Sequence, residues 1–191
     1  MENQNEILAS WQEYQALPES EWRKDYFCPE TGGFVATHIH KEKDDLRRPG
    51  IAAEVKACFE LAGMGKHILR LPENIPDLID KITIAGKTYR KLLKFKTGKD
   101  IPRGYPDVYF DGRTWDFKTS KYNRVKSVRK LIMDGRKADN VIFILKDEKN
   151  LDMIKSALES EIGNNLNNGT LSELPNIHYL SNGKLTGIWA K

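Results

Sequence analysis

The chain has 191 residues, with 31 Lys+Arg against 27 Asp+Glu, two cysteines and 39% hydrophobic residues. That length suits one compact domain with a sizeable core, and no apolar run approaches the roughly 20 residues that a membrane-spanning helix needs. The opening MENQNEILASWQEY carries no basic n-region and no apolar h-region, so no cleavable signal is expected. Two cysteines, Cys28 and Cys58, cannot build a disulfide framework and point to a reducing compartment or an unusual export route. Charge is unevenly placed: residues 1–25 hold six acids and two bases, residues 81–137 hold 17 bases and five acids, and residues 138–191 hold five bases and seven acids. A basic middle interleaved with Tyr89, Phe95, Tyr105 and Tyr122 is the footprint of a phosphate-rich partner, or of a solvated lysine-rich surface.

In chain order, residues 6–16 suit an amphipathic helix ended by Leu17-Pro18. A turn-rich stretch follows through Cys28-Pro29-Glu30-Thr31-Gly32-Gly33 to a short β-prone piece at 34–37. The charged loop from Asp44 to Pro49-Gly50 leads into a helix at 51–62, closed by Gly63 and Gly65. Strands are expected at 67–71, 81–85 and 88–95, the last equally readable as a helix. Residues 107–118 form a hairpin and 125–137 a helix with a basic flank. The apolar run 141–145 suits a strand covered on both faces. A helix at about 150–162 ends at Gly163, the Asn-rich Gly163–Asn168 reads as a turn, and a second hairpin at 177–189 turns at Ser181-Asn182-Gly183. The fold class is α/β, with residues 1–25 as a separate acidic segment, a helix that links to a larger parent or docks.

The chemistry concentrates in the first hairpin. Asp111-Gly112 is a two-residue turn signal that sets Phe110 opposite Arg113, Tyr109 opposite Thr114, Val108 opposite Trp115 and Asp107 opposite Asp116. One face then gathers Val108, Phe110, Trp115 and Phe117, and the other Asp107, Asp116 and Lys118. Two carboxylates across a strand pair repel by about 3 kcal/mol at 5 Å and an effective dielectric of 20. A divalent cation offsets that cost, with Mg²⁺ or Mn²⁺ suiting the hard oxygen donors and Zn²⁺ a further option. Lys118 then stands ready to polarise a water or to stabilise charge developing on a phosphate. Glu54 projects inside the apolar arc of its helix, which makes it a third acid for the ion or a side chain snorkelling at the arc's edge.

Pro106-Asp107, with Asp116-Phe117-Lys118 after an eight-residue gap and Glu54 on a preceding helix, resembles the PD-(D/E)xK nuclease signature. Within that superfamily the chain resembles the CdiA-type tRNA nuclease C-terminal domain of contact-dependent inhibition toxins, and related domains at the ends of phage minor head proteins. The residues that carry the likeness are Tyr26 to Val35, the Glu54 helix, Leu69-Arg70-Leu71-Pro72-Glu73 and Trp115-Asp116-Phe117-Lys118-Thr119, spanning about residues 22–146. The resemblance implies a restriction-endonuclease-like core, a mixed central sheet flanked by helices, in a nuclease-like domain over 26–191. It implies a metal held by Glu54, Asp107 and Asp116, catalysis by these with Lys118 and Thr119, and tRNA as substrate. It also implies a cognate immunity protein and action in a cytoplasm after delivery within a larger secreted or phage-borne protein. The stretch 74–104 has no counterpart in that pattern and reads as an insertion. A DNA endonuclease of restriction, repair or transposition type is the first rival, and a non-catalytic nucleic-acid-binding or phage structural module the second.

Around that centre, Lys121, Arg124, Lys126, Arg129 and Arg136 are the candidate grips on a nucleic-acid backbone, or else the solvated side of an amphipathic helix. His38-Ile39-His40 with Cys28 matches no standard zinc spacing and reads as neutral surface histidines. Gly63-Met64-Gly65-Lys66 reads as a helix C-cap rather than a phosphate loop.

Overall fold

A computed structural model describes residues 2–41, 46–119, 124–146 and 148–191. Among these, ten strands and four α-helices follow in the order α1 (Glu2–Ala16), β1 (Trp22–Phe27), β2 (Phe34–His38), α2 (Pro49–Gly63), β3 (His67–Arg70), β4 (Thr83–Ile84), β5 (Lys87–Thr88), β6 (Val108–Phe110), β7 (Arg113–Lys118), α3 (Val125–Asp134), β8 (Asn140–Ile144), α4 (Leu151–Asn167), β9 (Asn176–Ser181) and β10 (Lys184–Trp189). Eight strands make one mixed sheet in the order β1-β2-β3-β6-β7-β8-β9-β10, and β4 and β5 pair separately. The chain is therefore mixed α/β, a large mixed sheet flanked by helices. β2, β3, β7, β8 and β9 run in one direction, with β6 antiparallel between β3 and β7. Parallel neighbours need long crossovers, and α2, α3 and α4 supply them.

Three apolar clusters hold the layers together. On one face Ala57, Cys58, Leu61 and Ala62 of α2 pack on Val35, Ile68, Val108, Phe110, Trp115, Phe117 and Ile142. On the other face Tyr14 of α1 joins Trp22, Phe34, Leu69 and Tyr109 with Ile79, Ile84, Tyr89 and Leu93 from the 74–104 segment. The remainder of that face carries Val128 and Ile132 of α3 and Ile154, Ala157 and Leu158 of α4 on Val141, Phe143 and Ile177. Both faces of β8 are covered, as its continuous apolar run predicts.

Several expectations are corrected. β1, in the stretch read as turns, is an edge strand: WRKDYF buries Trp22 and leaves much of the rest partly exposed, so it lacks the apolar alternation of a half-buried strand. It begins at Trp22, so the boundary drawn at residue 25 falls inside the sheet, and α1 is stapled to it by Trp11 against Phe27 and Tyr14 against Phe34. The stretch 88–95, read as a strand or equally as a helix, is the last residue of β5 followed by a 3₁₀ turn over Tyr89–Leu92. Tyr89 fixes that turn by donating its hydroxyl hydrogen to the Pro72 carbonyl at 2.8 Å. The expected helix 125–137 is α3 plus a 3₁₀ turn over Gly135–Lys137.

Gly163 does not stop α4, which runs on to Asn167. Asn165 is buried and donates its amide to the Glu161 carbonyl at 2.8 Å, so the Asn-rich stretch is held inside the helix. Gly163 itself is exposed with nothing within 4 Å of the place a Cβ would take. Gly163→Ala is therefore expected to stabilise the protein by about 0.5–1 kcal/mol, read as a higher urea midpoint at unchanged slope.

His38 is a core residue, 2% exposed, set edge-on to Trp22 at 5.0 Å. Its Nδ1 accepts a hydrogen bond from the His40 backbone N–H at 3.2 Å, which suits only the neutral ring. Burial, then the charge of His40, pushes its pKa down to about 4. Between pH 6.5 and 4 the unfolded chain binds a proton that the folded chain refuses, so stability falls as pH falls through that window. Wild type is expected to lose up to about 3 kcal/mol there, and His38→Asn is expected to flatten the decline. Urea unfolding at pH 7, 5.5 and 4.5 reads the difference.

Candidate functional site

The carboxyl ends of the five parallel strands lie along one edge of the sheet, the edge where open α/β sheets carry their ligands. Three devices gather charged side chains there. β6 enters the sheet at this edge, so Asp107 sits just before it beside the end of β3, and Leu71 N–H donates to the Asp107 carbonyl at 2.9 Å. β7 leaves at the same edge with Asp116, Lys118 and Thr119. α2 begins there, and Gly50 in its first turn lies close to the Thr119 hydroxyl.

The hairpin register is the expected one from Phe110↔Arg113 to Val108↔Trp115, and Asp111 and Gly112 both take positive φ, 49° and 73°. Trp115 and Phe117 belong to the α2-side core, so Asp116 and Lys118 project to the opposite face. Asp107 departs from simple cross-strand pairing. Its N–H donates to the Trp115 carbonyl at 2.9 Å, while its Oδ2 accepts from the Phe117 N–H at 2.7 Å.

Four cations offset the repulsion among the acids. Lys137 Nζ lies 2.8 Å from Asp116 Oδ1 and 3.5 Å from Asp107 Oδ1. Lys118 Nζ is 2.6 Å from Asp116 Oδ2, which is also buried. Glu54 Oε1 is 3.5 Å from Lys41 Nζ and 3.3 Å from Arg70 Nη2. Lys41 also pairs with Glu73, and Arg70 donates to the Thr37 hydroxyl at 3.4 Å. The expected repulsion between Asp107 and Asp116 is thus met by ammonium groups. Among the described residues no three His, Cys, Asp or Glu side chains form a group that could hold a metal ion.

The titration pattern follows from this crowding. Burial, then the charge of Asp107, pushes Asp116 up to about 7 against the pull of Lys137 and Lys118. Burial opposes ionisation of Asp107 too, but Lys137, Lys41 and the Phe117 N–H outweigh it and hold the carboxyl below its ordinary range. The two carboxyls titrate as one unit, and Asp116 is the partner that keeps a proton towards neutrality. Burial and then Asp107 raise Glu54. Asp107 therefore bears on both Asp116 and Glu54 across this edge.

No family model, no curated protein and no solved structure matches this chain.

Of the residues singled out in the sequence, Glu54, Asp107, Asp116, Lys118 and Thr119 come to this edge. Lys121 lies outside the described residues. Arg124 and Lys126 are exposed. Arg129 is tied to Glu161 at 2.5 Å, and Arg136 to Glu173 at 3.3 Å and to Asn165. Those two arginines clamp α3 to α4 and the turn after it, so their charge is compensated rather than offered to a phosphate. A groove of about 780 Å³ along Val125, Lys126, Arg129 and Met133 of α3 is lined by Glu161 but by none of Glu54, Asp107 or Asp116. Cys28 donates its thiol hydrogen to Glu30 Oε2 at 3.2 Å, and His38 packs on Trp22, so the pieces of the zinc reading have other partners.

Sequence reasoning missed Lys41, Arg70, Glu73 and Lys137 as members of the cluster. Arg70 and Glu73 stand in the Leu69–Glu73 stretch that carries the nuclease likeness, which is the one signal that pointed to them. Lys41 and Lys137 had none.

Proposed function

We propose that the chain is a metal-dependent nuclease that hydrolyses phosphodiester bonds, acting on RNA and specifically on tRNA. The observation that carries this reading is the convergence of Asp107 and Asp116 on one ammonium, with Lys118 on the same face of β7 and Glu54 electrostatically linked to Asp107. The oxygens of Asp107 and Asp116, which share the Lys137 ammonium, are donors of the kind that Mg²⁺ or Mn²⁺ takes, with the ion's other positions left to water and substrate. Asp107 and Asp116 would hold the ion, while Glu54, paired with Lys41 and Arg70, forms no three-ligand group with them. When bound, the ion supplies Lewis-acid stabilisation of a phosphoryl oxygen and lowers the pKa of a water.

The protein's own groups account for the rest. Lys118 orients the attacking water and stabilises charge developing on the phosphate, and Thr119, beside the first turn of α2, borders the same position. Exclusion of solvent around Asp116, only 1% exposed, strengthens each of these interactions. The choice of tRNA over DNA rests on the likeness to toxin nucleases, as do a cognate immunity protein and delivery as part of a larger protein. No helix among the described residues is long and apolar enough to cross a membrane.

The test is incubation with total tRNA and, in parallel, plasmid DNA, in Mg²⁺ or Mn²⁺ with and without chelator, followed by end-mapping. Chelator-sensitive cuts in tRNA are expected. Cutting of plasmid alone moves the reading to a DNA endonuclease. A second reading, a non-catalytic nucleic-acid-binding module, draws on the neutralisation of every acid in the cluster by Lys41, Arg70, Lys118 or Lys137. Salt-sensitive binding without cleavage under any divalent ion would establish it.

A further inference from the structure

Residues 81–103 hold eight bases and one acid, and none of these bases belongs to the cluster around Asp107 and Asp116. The end of this segment folds back on itself as a small hairpin. Phe95 bridges Pro102, Lys96 N–H donates to the Ile101 carbonyl at 2.9 Å, and Arg103 N–H donates to the Lys94 carbonyl at 2.7 Å. Three contacts fix the hairpin beside the 3₁₀ turn over Gly135–Lys137. Lys94 Nζ donates to the Ala138 carbonyl at 2.7 Å and lies 3.2 Å from Asp139 Oδ1. Arg103 Nη1 donates to Glu173 Oε2 at 3.0 Å, the oxygen that Arg136 Nη1 also reaches at 3.3 Å. Gly104, at φ +150°, abuts the lysine stem, and a Cβ there would lie 3.1 Å from Lys137 Cδ. Between hairpin and turn runs a groove of about 300 Å³, to which the hairpin contributes Lys96, Thr97 and Arg103 and the other side Asp134, Arg136 and Lys137.

We propose that this groove seats the sugar–phosphate backbone of a nucleic-acid strand and leads it past the acid pair. The inference deepens the nuclease reading above and rests on it for the presence of a nucleic acid. Charge favours a polyanion here: four bases and one acid line the groove, and the single carboxylate of Glu173 is shared by two guanidiniums. Lys96 is exposed, and its ammonium makes no hydrogen bond or ion pair among the described residues. Thr97, exposed beside it, adds a hydroxyl. Lys137 supplies the link to the chemistry. Its side chain lines the groove while its ammonium meets Asp107 and Asp116, so a strand lying there passes beside those carboxylates. The groove along α3 has no such link, and its Arg129 is tied to Glu161. Contacts of this kind hold phosphates rather than bases, so they give affinity and register without sequence preference.

The test is equilibrium binding of labelled tRNA and, in parallel, of a short DNA duplex, by fluorescence anisotropy in chelator over a range of salt. The proteins are full-length wild type, Lys96→Gln and Lys126→Gln. Lys126 is an exposed residue of α3 outside this groove and controls for net charge. For whichever probe wild type binds, Lys96→Gln is expected to bind about fivefold more weakly near physiological salt. Its slope of log affinity against log salt is expected to be shallower by about one, with Lys126→Gln within about twofold of wild type. The urea midpoint of Lys96→Gln is expected to match wild type, because the side chain is exposed and unpartnered among the described residues. Unchanged affinity and slope in Lys96→Gln overturn the groove, as does equal weakening in Lys126→Gln or failure of wild type to bind either probe. Cleavage is scored separately with Mg²⁺ or Mn²⁺. Wild type that shows the expected binding shifts but cuts neither nucleic acid supports the groove and removes the nuclease reading. Wild type that cuts, with Lys96→Gln unaltered in binding, removes the groove and leaves that reading standing.

Discussion

Asp116→Asn is expected to lower single-turnover cleavage of tRNA in Mg²⁺ or Mn²⁺ by about 10³-fold, the equivalent of ~4 kcal/mol in the barrier. The amide keeps the volume and one oxygen acceptor but removes the charge that would hold a divalent ion with Asp107. Asparagine is the informative choice because Asp116 is buried and engages two ammonium groups. From the sequence, a position off the apolar face promises that alanine leaves folding intact. The closed packing around Asp116 removes that promise. Asp116→Ala removes the buried carboxylate that Lys118 and Lys137 both face and is expected to cost about 3–5 kcal/mol of stability. Urea unfolding of both variants beside the cleavage assay separates lost chemistry from lost structure. A folded Asp116→Asn protein that cleaves at the wild-type rate would remove the nuclease reading.

What was legible in the sequence is what short-range geometry dictates. Asp111-Gly112 and Asn182-Gly183 need positive φ at both central residues, and both hairpins turn there, at φ 49° and 73° and at 49° and 67°. The period-2 pattern of Val108, Phe110, Trp115 and Phe117 assigns them to one face, and this leaves Asp107, Asp116 and Lys118 for the other. Glu54, an acid inside an apolar arc, was visible for the same reason. The rest depended on long-range encounters. β1 is readable as a strand only once β2 is there to pair with it. The 74–104 stretch has little regular structure of its own and is ordered by inserting Ile79, Ile84, Tyr89 and Leu93 under the sheet. Lys137 meets Asp107 across 30 residues and Lys41 meets Glu73 across 32, and no periodicity marks either lysine. The sequence thus announced where negative charge would gather and one of its counter-charges, Lys118, while Lys41 and Lys137 emerged only from tertiary folding.

Gly33→Ala is the second large effect expected, this time on stability. A Cβ at Gly33 would lie 1.9 Å from the carbonyl oxygen of Ala62 in the last turn of α2, where carbon–oxygen contacts normally lie at about 3.3–3.6 Å. Relief requires the loop or the helix to move by about 1.5 Å, and both are anchored. The Ala62 carbonyl accepts from the Thr31 hydroxyl at 3.0 Å and from the Gly65 N–H at 2.9 Å, while Cys28 N–H holds the Gly33 carbonyl at 2.7 Å. The Thr31-Gly32-Gly33 turn therefore serves as a cap for the end of α2, and the second glycine is what lets it approach. A loss of about 3 kcal/mol or more is expected, with a fall in Tm of about 10 °C. Gly63→Ala, two residues from the same cap with nothing within 4 Å of its Cβ position, is expected to leave Tm within about 2 °C of wild type. Because α2 carries Glu54 near its other end, any displacement that rescues folding of Gly33→Ala also shifts Glu54 against Arg70 and Lys41. Weakened metal binding in the surviving folded fraction, measured well below its Tm, is the expected companion of the lost stability.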